Sequence, residues 1–139
     1  PMSPPASTRY KNPATCDNIA PNPHHTHTMT TIYHAHVYFL PEQAAQAATL
    51  HATLAPRLPA GCWLGRLIER EVGPHTRPMF EIDFAEPLLP AVTALLEQYR
   101  DGLPVLLHPE LDNEVVGHTT AARWLGEPLP LKLHTLRGA

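Results

Sequence analysis

The chain has 139 residues, of which 43% are hydrophobic and 17% charged, and its formal net charge is −3. This length suits a single domain that can fold without disulfides. Two cysteines and the lack of an apolar run of about 20 residues argue against a disulfide framework and an integral membrane protein. Ten basic against thirteen acidic residues argue against nucleic acid as a partner, because phosphate binding requires a basic excess.

Residues 1–28 differ in composition from the rest of the chain. They are rich in proline and lack the apolar core of a secretory signal, so we expect a cytoplasmic protein. The stretch Pro21–His27 contains three histidines and is typical of a metal-affine tail, although a poorly structured or non-native leader is the simpler interpretation. We therefore predict one domain over residues 29–139, with Met29 as a candidate start.

The predicted elements follow the order β-α-β-β-α-β and end in a short tail. Alternating apolar and β-branched residues predict strands at 31–39, 63–68, 78–84 and 104–108. Apolar residues at helical spacing predict helices from residue 41 to the prolines at 56 and 59, and over 88–99. Asp101-Gly102 provides a left-handed stop for the second helix. In the tail we expect one helical turn over Thr119–Leu125, then an alternating piece at Leu129, Leu131 and Leu133.

This order predicts an α+β fold. Each helix is long enough to cross back over a sheet, and such crossovers are right-handed. The simplest arrangement is a ferredoxin-like split β-α-β sandwich, with a four-stranded antiparallel sheet and both helices on one face. The first and third strands are then central, and the fourth lies beside the first. A second subunit or the Leu129–Leu133 tail should cover Met79 and Leu106 on the helix-free face.

The two faces of the predicted sheet differ in chemistry because side chains alternate along each strand. The apolar face, which must pack on the helices, carries Ala35, Val37, Phe39, Phe80, Ile82, Phe84, Val105 and Leu107. The opposite face carries His34, His36, Tyr38, Glu81, Asp83 and His108. Opposed residues on neighbouring strands lie about 5 Å apart, so these histidines can meet around one ion. Imidazole and carboxylate ligands suit zinc, copper, nickel or non-haem iron.

Four blocks of residues occur in a distinctive order along the chain. They are His34–Phe39, Val72–His75 leading to Met79-Phe80, Val105–Pro109, and His118-Thr119 with Trp124–Glu127. Together, over about residues 31–133, they resemble the DOPA 4,5-dioxygenase family of small ring-cleaving enzymes. The resemblance implies a ferredoxin-like fold, usually dimeric, and extradiol cleavage of a catechol by Fe(II) and O2. The family's histidines fall on His34, His36, His75, His108 and His118.

The chain departs from the family pattern near His118. Gly117 stands where an acidic residue usually precedes this histidine, and Ala121 stands where a second histidine often follows. Because hydrogen bonds from neighbouring groups fix the ring plane of a ligand, we expect Gly117 to loosen the orientation of His118. The identity of the catechol is therefore open.

The predicted site assigns a role to each histidine. Three imidazoles are expected to hold Fe(II), or zinc or nickel as substitutes after purification: His36, His75 and His108. His118 is the first choice for the acid–base residue and His34 the second. Tyr38 and Glu81 are expected beside the substrate, although a solvated residue on an open sheet face is the simpler interpretation of Glu81.

Two other functions stay open on the sequence. One is a non-catalytic, dimeric ferredoxin-like protein that binds a small ligand or a metal, which metal content and oxygen consumption would distinguish. The other is a mutase or monooxygenase of the dimeric αβ-barrel kind, which shares the fold but needs no clustered histidines. We expect a homodimer with a catechol as its small-molecule partner. Solvated surface positions are the simplest interpretation for His51, His134, Arg66, Arg70 and Arg123.

Overall fold

The structure is a computed structural model that describes residues 30–138, so the predicted leader over residues 1–28 lies outside the described residues. One antiparallel sheet contains the strands β1 (Ile32–Tyr38), β2 (Trp63–Leu64), β3 (Met79–Ala85), β4 (Val105–Pro109) and β5 (Arg123–Leu125). The α-helices are α1 (Ala44–Leu54), α2 (Leu89–Tyr99) and α3 (Glu114–His118). The strand order is β2-β3-β1-β4-β5.

The predicted α+β fold is confirmed in its order of elements and in the arrangement of its strands. β1 and β3 are central and β4 lies beside β1, while α1 and α2 pack against the same apolar face. The left-handed stop after α2 is also present, with φ values of 52° at Asp101 and 84° at Gly102. The predicted number of strands is wrong, because β5 pairs with the outer edge of β4 and extends the sheet to five.

The tail and the second strand differ from the sequence-based prediction. The helical turn expected over Thr119–Leu125 is wrong: the helix covers Glu114–His118, and Arg123–Leu125 is strand β5. Asn113 starts this helix, since its side-chain oxygen accepts a hydrogen bond from the N–H of Val116 at 3.1 Å. The second predicted strand is shorter than expected, because only Trp63–Leu64 pairs continuously with β3 and Ile68 forms an isolated bridge to Met79.

The main core lies between the sheet and the two long helices. Its sheet side is the predicted apolar face, including Val37, Phe80 and Ile82, all of which are fully buried. His51 belongs to this region, and its prediction as a surface residue is wrong. It is only 5% exposed, and its Nε2 lies 2.9 Å from the Gly65 carbonyl oxygen. Its place in α1, four residues after Ala47 and three before Leu54, puts it on the buried side of the helix.

A second apolar cluster covers one end of the helix-free face. It consists of Tyr38, Met79, Leu106 and Leu129, with Trp124 and Leu131 packed against it. The tail therefore covers Met79 and Leu106. Of the two covers expected from the sequence, a second subunit or the tail, the structure has the tail. The other end of this face carries the histidines. None of the helices in residues 30–138 has the length and hydrophobicity needed to cross a bilayer.

Candidate metal centre

Strand register places the histidines of β1 and β4 next to carboxylates and next to each other. His34 lies opposite Asp83 of β3 on one side and opposite His108 of β4 on the other. His36 lies opposite Glu81. Since all of these residues have the same parity along their strands, their side chains share the face that α1 and α2 leave uncovered.

Two further imidazoles reach this face from outside the central strands. His75 belongs to the loop before β3, and its ring centroid lies 4.0 Å from that of His36. His118 ends α3, and its ring centroid lies 3.8 Å from that of His108. The ligand nitrogens of His36, His75 and His118 all lie within 4.8 Å of one another. The Nε2 atoms of His36 and His108 are 2.9 Å apart.

Hydrogen bonds fix which nitrogen two of these rings present to the site. Nδ1 of His118 lies 2.8 Å from the Glu114 carbonyl oxygen, and Nδ1 of His108 lies 3.1 Å from that of Pro109. A carbonyl only accepts, so Nδ1 carries the proton in both rings and Nε2 keeps its lone pair. Nδ1 of His75 lies 2.7 Å from the Tyr38 hydroxyl, which can accept from a protonated Nδ1 or donate to an unprotonated one, so this contact orients the ring without fixing its tautomer.

The tautomer of His36 is also left open. Within residues 30–138 its Nδ1 is buried without a hydrogen-bond partner, and it lies 3.8 Å from Oε1 of Glu81. A proton on Nδ1 would face this carboxylate favourably. The Nε2 lone pair would then point at the Nε2 lone pair of His108, and that arrangement requires a cation nearby.

Burial keeps these imidazoles neutral at ordinary pH. It lowers the pKa of His75 to about 4, with the neighbouring His118 as the next cause. It lowers the pKa of His108 to about 3, again with His118 as the next cause. The pKa values of His36 and His118 are also lowered, in both cases chiefly by burial. Neutral imidazoles with free lone pairs are the form that binds a metal ion, so the donor set fits a divalent cation.

His34 has a different environment from the other four histidines. Its Nδ1 lies 2.7 Å from Oε2 of Glu81 and 2.9 Å from Oδ1 of Asp83, and its Nε2 lies 3.0 Å from Oε2 of Glu110. Burial by itself would lower the pKa of His34, but the hydrogen bonds to these carboxylates raise it to about 12. His34 is therefore an imidazolium that holds carboxylates together, and both of its nitrogens are engaged.

The two neighbouring carboxylates of β3 share this cation. Burial and the adjacent Glu81 raise the pKa of Asp83, whereas hydrogen bonds from Asp83 and His34 outweigh burial and lower that of Glu81. Asp83 and Glu110 were absent from the predicted site. The alternation of β3 already placed Asp83 on the histidine face, and this was the signal that could have found it.

A cavity of about 260 Å³ opens over the imidazoles. Its floor is formed by the imidazoles of His34, His36, His75, His108 and His118. Its walls are largely apolar, with Pro74, Pro109, Leu111 and Leu136, and Glu110 and Glu114 contribute carboxylates. Tyr38 and Glu81, which were predicted to contact substrate, do not line this cavity: Tyr38 is fully buried beside His75, and Glu81 contacts His34.

Comparison with known proteins gives the chain its family. The sequence model of the Dopa 4,5-dioxygenase family matches residues 33–135, a range that includes all five imidazoles of the cavity floor. The chain belongs to this family. The resemblance carried by the four sequence blocks is thereby confirmed.

Two relatives illustrate how far the similarity reaches. An uncharacterised 21.2 kDa protein of Botryotinia fuckeliana is 36% identical over 80 residues, which are 52% of this chain and 44% of that protein. The chain thus matches less than half the length of this relative. The crystal structure of a candidate dioxygenase from Nostoc punctiforme matches with a TM-score of 0.70 and 32% identity, over 76% of this chain and 90% of that one. Family and structural neighbour together support an oxygenase-type enzyme.

The departure from the Dopa 4,5-dioxygenase family pattern at Gly117 has a packing reason. Gly117 is buried, and a Cβ atom at this position would lie 2.9 Å from the Pro109 carbonyl oxygen. The missing side chain lets α3 approach the end of β4, where the ring of His118 meets that of His108. The expectation that glycine loosens His118 therefore gives way to a different interpretation, in which glycine permits the close contact.

Proposed function

We propose that the protein is an extradiol-type dioxygenase that cleaves the ring of a catechol such as DOPA, with Fe(II) bound among the clustered imidazoles. The observation that carries this proposal is the convergence of three imidazole nitrogens within 4.8 Å, beneath a cavity in a Dopa 4,5-dioxygenase family member. Bound there, Fe(II) would supply the redox and Lewis-acid chemistry needed to combine a catechol with O2.

Three of the four neutral imidazoles suffice as ligands. Three protein ligands would leave the ion open to small molecules, as a catalytic metal site requires. The nitrogen spacing favours His36, His75 and His118 as ligands. The sequence-based assignment has His108 in place of His118 and stays a competing prediction.

His108 is then the residue that moves a proton. Its Nδ1 proton is engaged by the Pro109 carbonyl, so its Nε2 lone pair faces the cavity next to His36. A buried neutral imidazole in this position can accept the proton that a catechol hydroxyl loses on binding, and later return it as an acid. His34, the second sequence-based choice, is less suited to this role because carboxylates engage both of its nitrogens.

The cavity walls suit a flat aromatic ring. Pro74, Leu111 and Leu136 offer apolar contact above the imidazoles, and they would exclude water from the reacting carbons. The substrate diol would face the imidazole floor, and its side chain would extend towards Glu110 and Glu114.

A second candidate function is favoured by the number of imidazoles. If all four rings bound one ion, the coordination sphere would be nearly closed, as in a structural metal site. The protein would then be a non-catalytic metal-binding or small-ligand-binding module. It would bind metal tightly without consuming oxygen.

The test is to load the metal-free protein with Fe(II) in the absence of oxygen, and then to add air and L-DOPA or simple catechol. We expect equimolar consumption of O2 and catechol, with a yellow semialdehyde product. Zn(II)-loaded protein is the matched control and should be inactive. Tight Fe(II) binding without oxygen consumption would support the non-catalytic module instead.

The variants His108→Ala and His118→Ala distinguish the two ligand assignments. We expect His108→Ala to keep its Fe(II) and lose turnover, and His118→Ala to lose Fe(II) affinity. The reverse result would support the sequence-based set of His36, His75 and His108. Full turnover in both His36→Ala and His108→Ala would refute the site.

The homodimer is also part of this proposal, and sedimentation equilibrium of the purified chain measures it.

A further inference from the structure

The two histidines that come from outside the sheet lie on segments with little regular structure of their own. His75 is in the loop before β3, and His118 ends a helix of five residues. Such short segments have few internal hydrogen bonds, so their positions depend on what they pack against. The same stretch of chain, residues 130–137, contacts both.

The first part of this stretch holds the His75 loop. The backbone N–H of Lys132 donates to the carbonyl of Pro74 at 2.8 Å, directly before His75. The Thr76 hydroxyl, directly after His75, donates to the carbonyl of Pro130 at 2.8 Å. His75 thus lies between two hydrogen bonds to one short segment. Lys132 adds an exposed ion pair to Glu71, with Nζ and Oε1 2.6 Å apart, which contributes little.

The last part of the stretch holds α3. The backbone N–H groups of Glu114 and Val115 donate to the carbonyl of Arg137 at 2.7 and 3.3 Å. In return, the N–H of Arg137 donates to Oε1 of Glu114 at 2.8 Å. These bonds satisfy donors in the first turn that the helix itself cannot satisfy. Leu136, next to Arg137, lines the cavity together with His118.

We propose that residues 130–137 form a C-terminal clamp that holds the His75 loop and α3 where their imidazoles meet those of β1 and β4. This inference depends on the proposed metal site, and it explains how two of the proposed ligands, His75 and His118, are kept in place. Thr76, Lys132 and Arg137 are positioning residues, because they act through His75 and His118. The clamp raises metal affinity by ordering these imidazoles before the ion binds.

Three variants separate the clamp from ordinary surface contacts. Lys132→Pro removes the N–H that binds Pro74, and the φ of −84° at this position lies near the range of proline. Lys132→Ala is its matched control, since it removes the ion pair to Glu71 and keeps the backbone hydrogen bond. Thr76→Val removes the second hydrogen bond with little change in shape.

Two measurements apply to each variant: Zn(II) affinity by calorimetry, and the imidazole nitrogen spectra of the metal-free protein. We expect Lys132→Pro and Thr76→Val each to weaken Zn(II) binding roughly tenfold. Lys132→Ala should stay within about twofold of the native affinity. The ring signals of His75 should shift or broaden in the first two variants, while those of His51, which lies in the main core away from the site, should not change.

Native ring signals and native Zn(II) affinity in Lys132→Pro and Thr76→Val would overturn the clamp. So would a loss in Lys132→Ala equal to that in Lys132→Pro. If Lys132→Pro does not fold, Thr76→Val decides alone. The ring spectra need no metal, so a native chain that binds no Zn(II) would refute the metal site, while the His75 signals would still decide whether the clamp orders this ring.

Discussion

The Nε2 atoms of His36 and His108 lie 2.9 Å apart in a buried position. The Pro109 carbonyl holds the proton of His108 on Nδ1, so Nε2 of His108 has only a lone pair to offer. Either a proton or a metal ion must therefore lie between the two rings.

Metal binding should resist acid more than at an ordinary histidine site. Burial lowers the pKa values of the three proposed ligands, His36, His75 and His118, that of His75 to about 4, so these rings take up protons less readily in acid than exposed histidines do. We expect the Zn(II) affinity to change less than about threefold between pH 7 and pH 5.5. Calorimetry at several pH values measures it. A fall of more than about tenfold over this range would contradict the neutral-imidazole site.

The same shifts predict how the metal-free protein responds to pH. A histidine with a lowered folded pKa stabilises the fold above its unfolded pKa of about 6.5. That contribution is lost as the pH falls from 6.5 towards the folded values. The free energy of unfolding in urea should therefore decline from pH 6.5 to pH 4, and Zn(II) should oppose the decline at the upper end of this range.

Tyr38→Phe should weaken metal binding more than it weakens the fold. It removes the hydroxyl that lies 2.7 Å from Nδ1 of His75 and orients the ring. We expect a loss of roughly tenfold in Zn(II) affinity and about 1 kcal/mol in unfolding free energy. Tyr33→Phe, on the same strand but the opposite face, is the control and should leave the affinity unchanged. Equal affinities in the two variants would contradict the orienting role of Tyr38.

His34→Gln should destabilise the protein at neutral pH. Nδ1 of the His34 imidazolium contacts the carboxyl groups of Glu81 and Asp83, and its removal leaves the partly buried Glu81 carboxylate without this cation. We expect a loss of about 3 kcal/mol in urea unfolding at pH 7, and partial recovery in the double variant His34→Gln/Glu81→Gln.

The stabilisation of the fold by the His34 imidazolium should depend on pH. Because the folded pKa of His34 is raised to about 12, its stabilisation is complete below the unfolded value of 6.5 and disappears as the pH rises through 12. The difference between native protein and His34→Gln should therefore shrink from pH 6 to pH 10. A constant difference would mean that His34 acts by packing alone.

Gly117→Ala should disturb both the fold and the site. The new Cβ would lie 2.9 Å from the Pro109 carbonyl, so α3 must move away and take His118 with it. We expect about 1–3 kcal/mol less unfolding free energy and weaker Zn(II) binding. Val116→Ala, at a neighbouring position that is 38% exposed, is the control and should change neither. If Gly117→Ala binds Zn(II) like the native chain, the close approach of α3 does not matter for the site.

The sheet and its two faces could be predicted because the alternation in β1, β3 and β4 is strong. Once Val37 and Leu107 were assigned to the core, His36 and His108 had to lie on the other side. The spatial pairing was harder. That His34 faces Asp83 depends on the register of two strands separated by more than 40 residues, and no local pattern fixes it.

The tail could not be predicted for a related reason. Helix α3 has five residues and includes Gly117, so it carries no apolar periodicity, and it forms because Asn113 and Arg137 satisfy its first N–H groups. β5 exists only because the edge of β4 is available for pairing. His51, by contrast, carried a usable signal in its spacing from Ala47 and Leu54, which was outweighed by the polarity of histidine.

Anomalous diffraction from crystals of Fe(II)-loaded protein decides whether these imidazoles converge on one ion. We expect one iron peak per chain in the cavity, about 2.1 Å from nitrogens of His36, His75 and His118. An iron peak elsewhere, or imidazoles that stay hydrogen-bonded to one another with no ion between them, would contradict it.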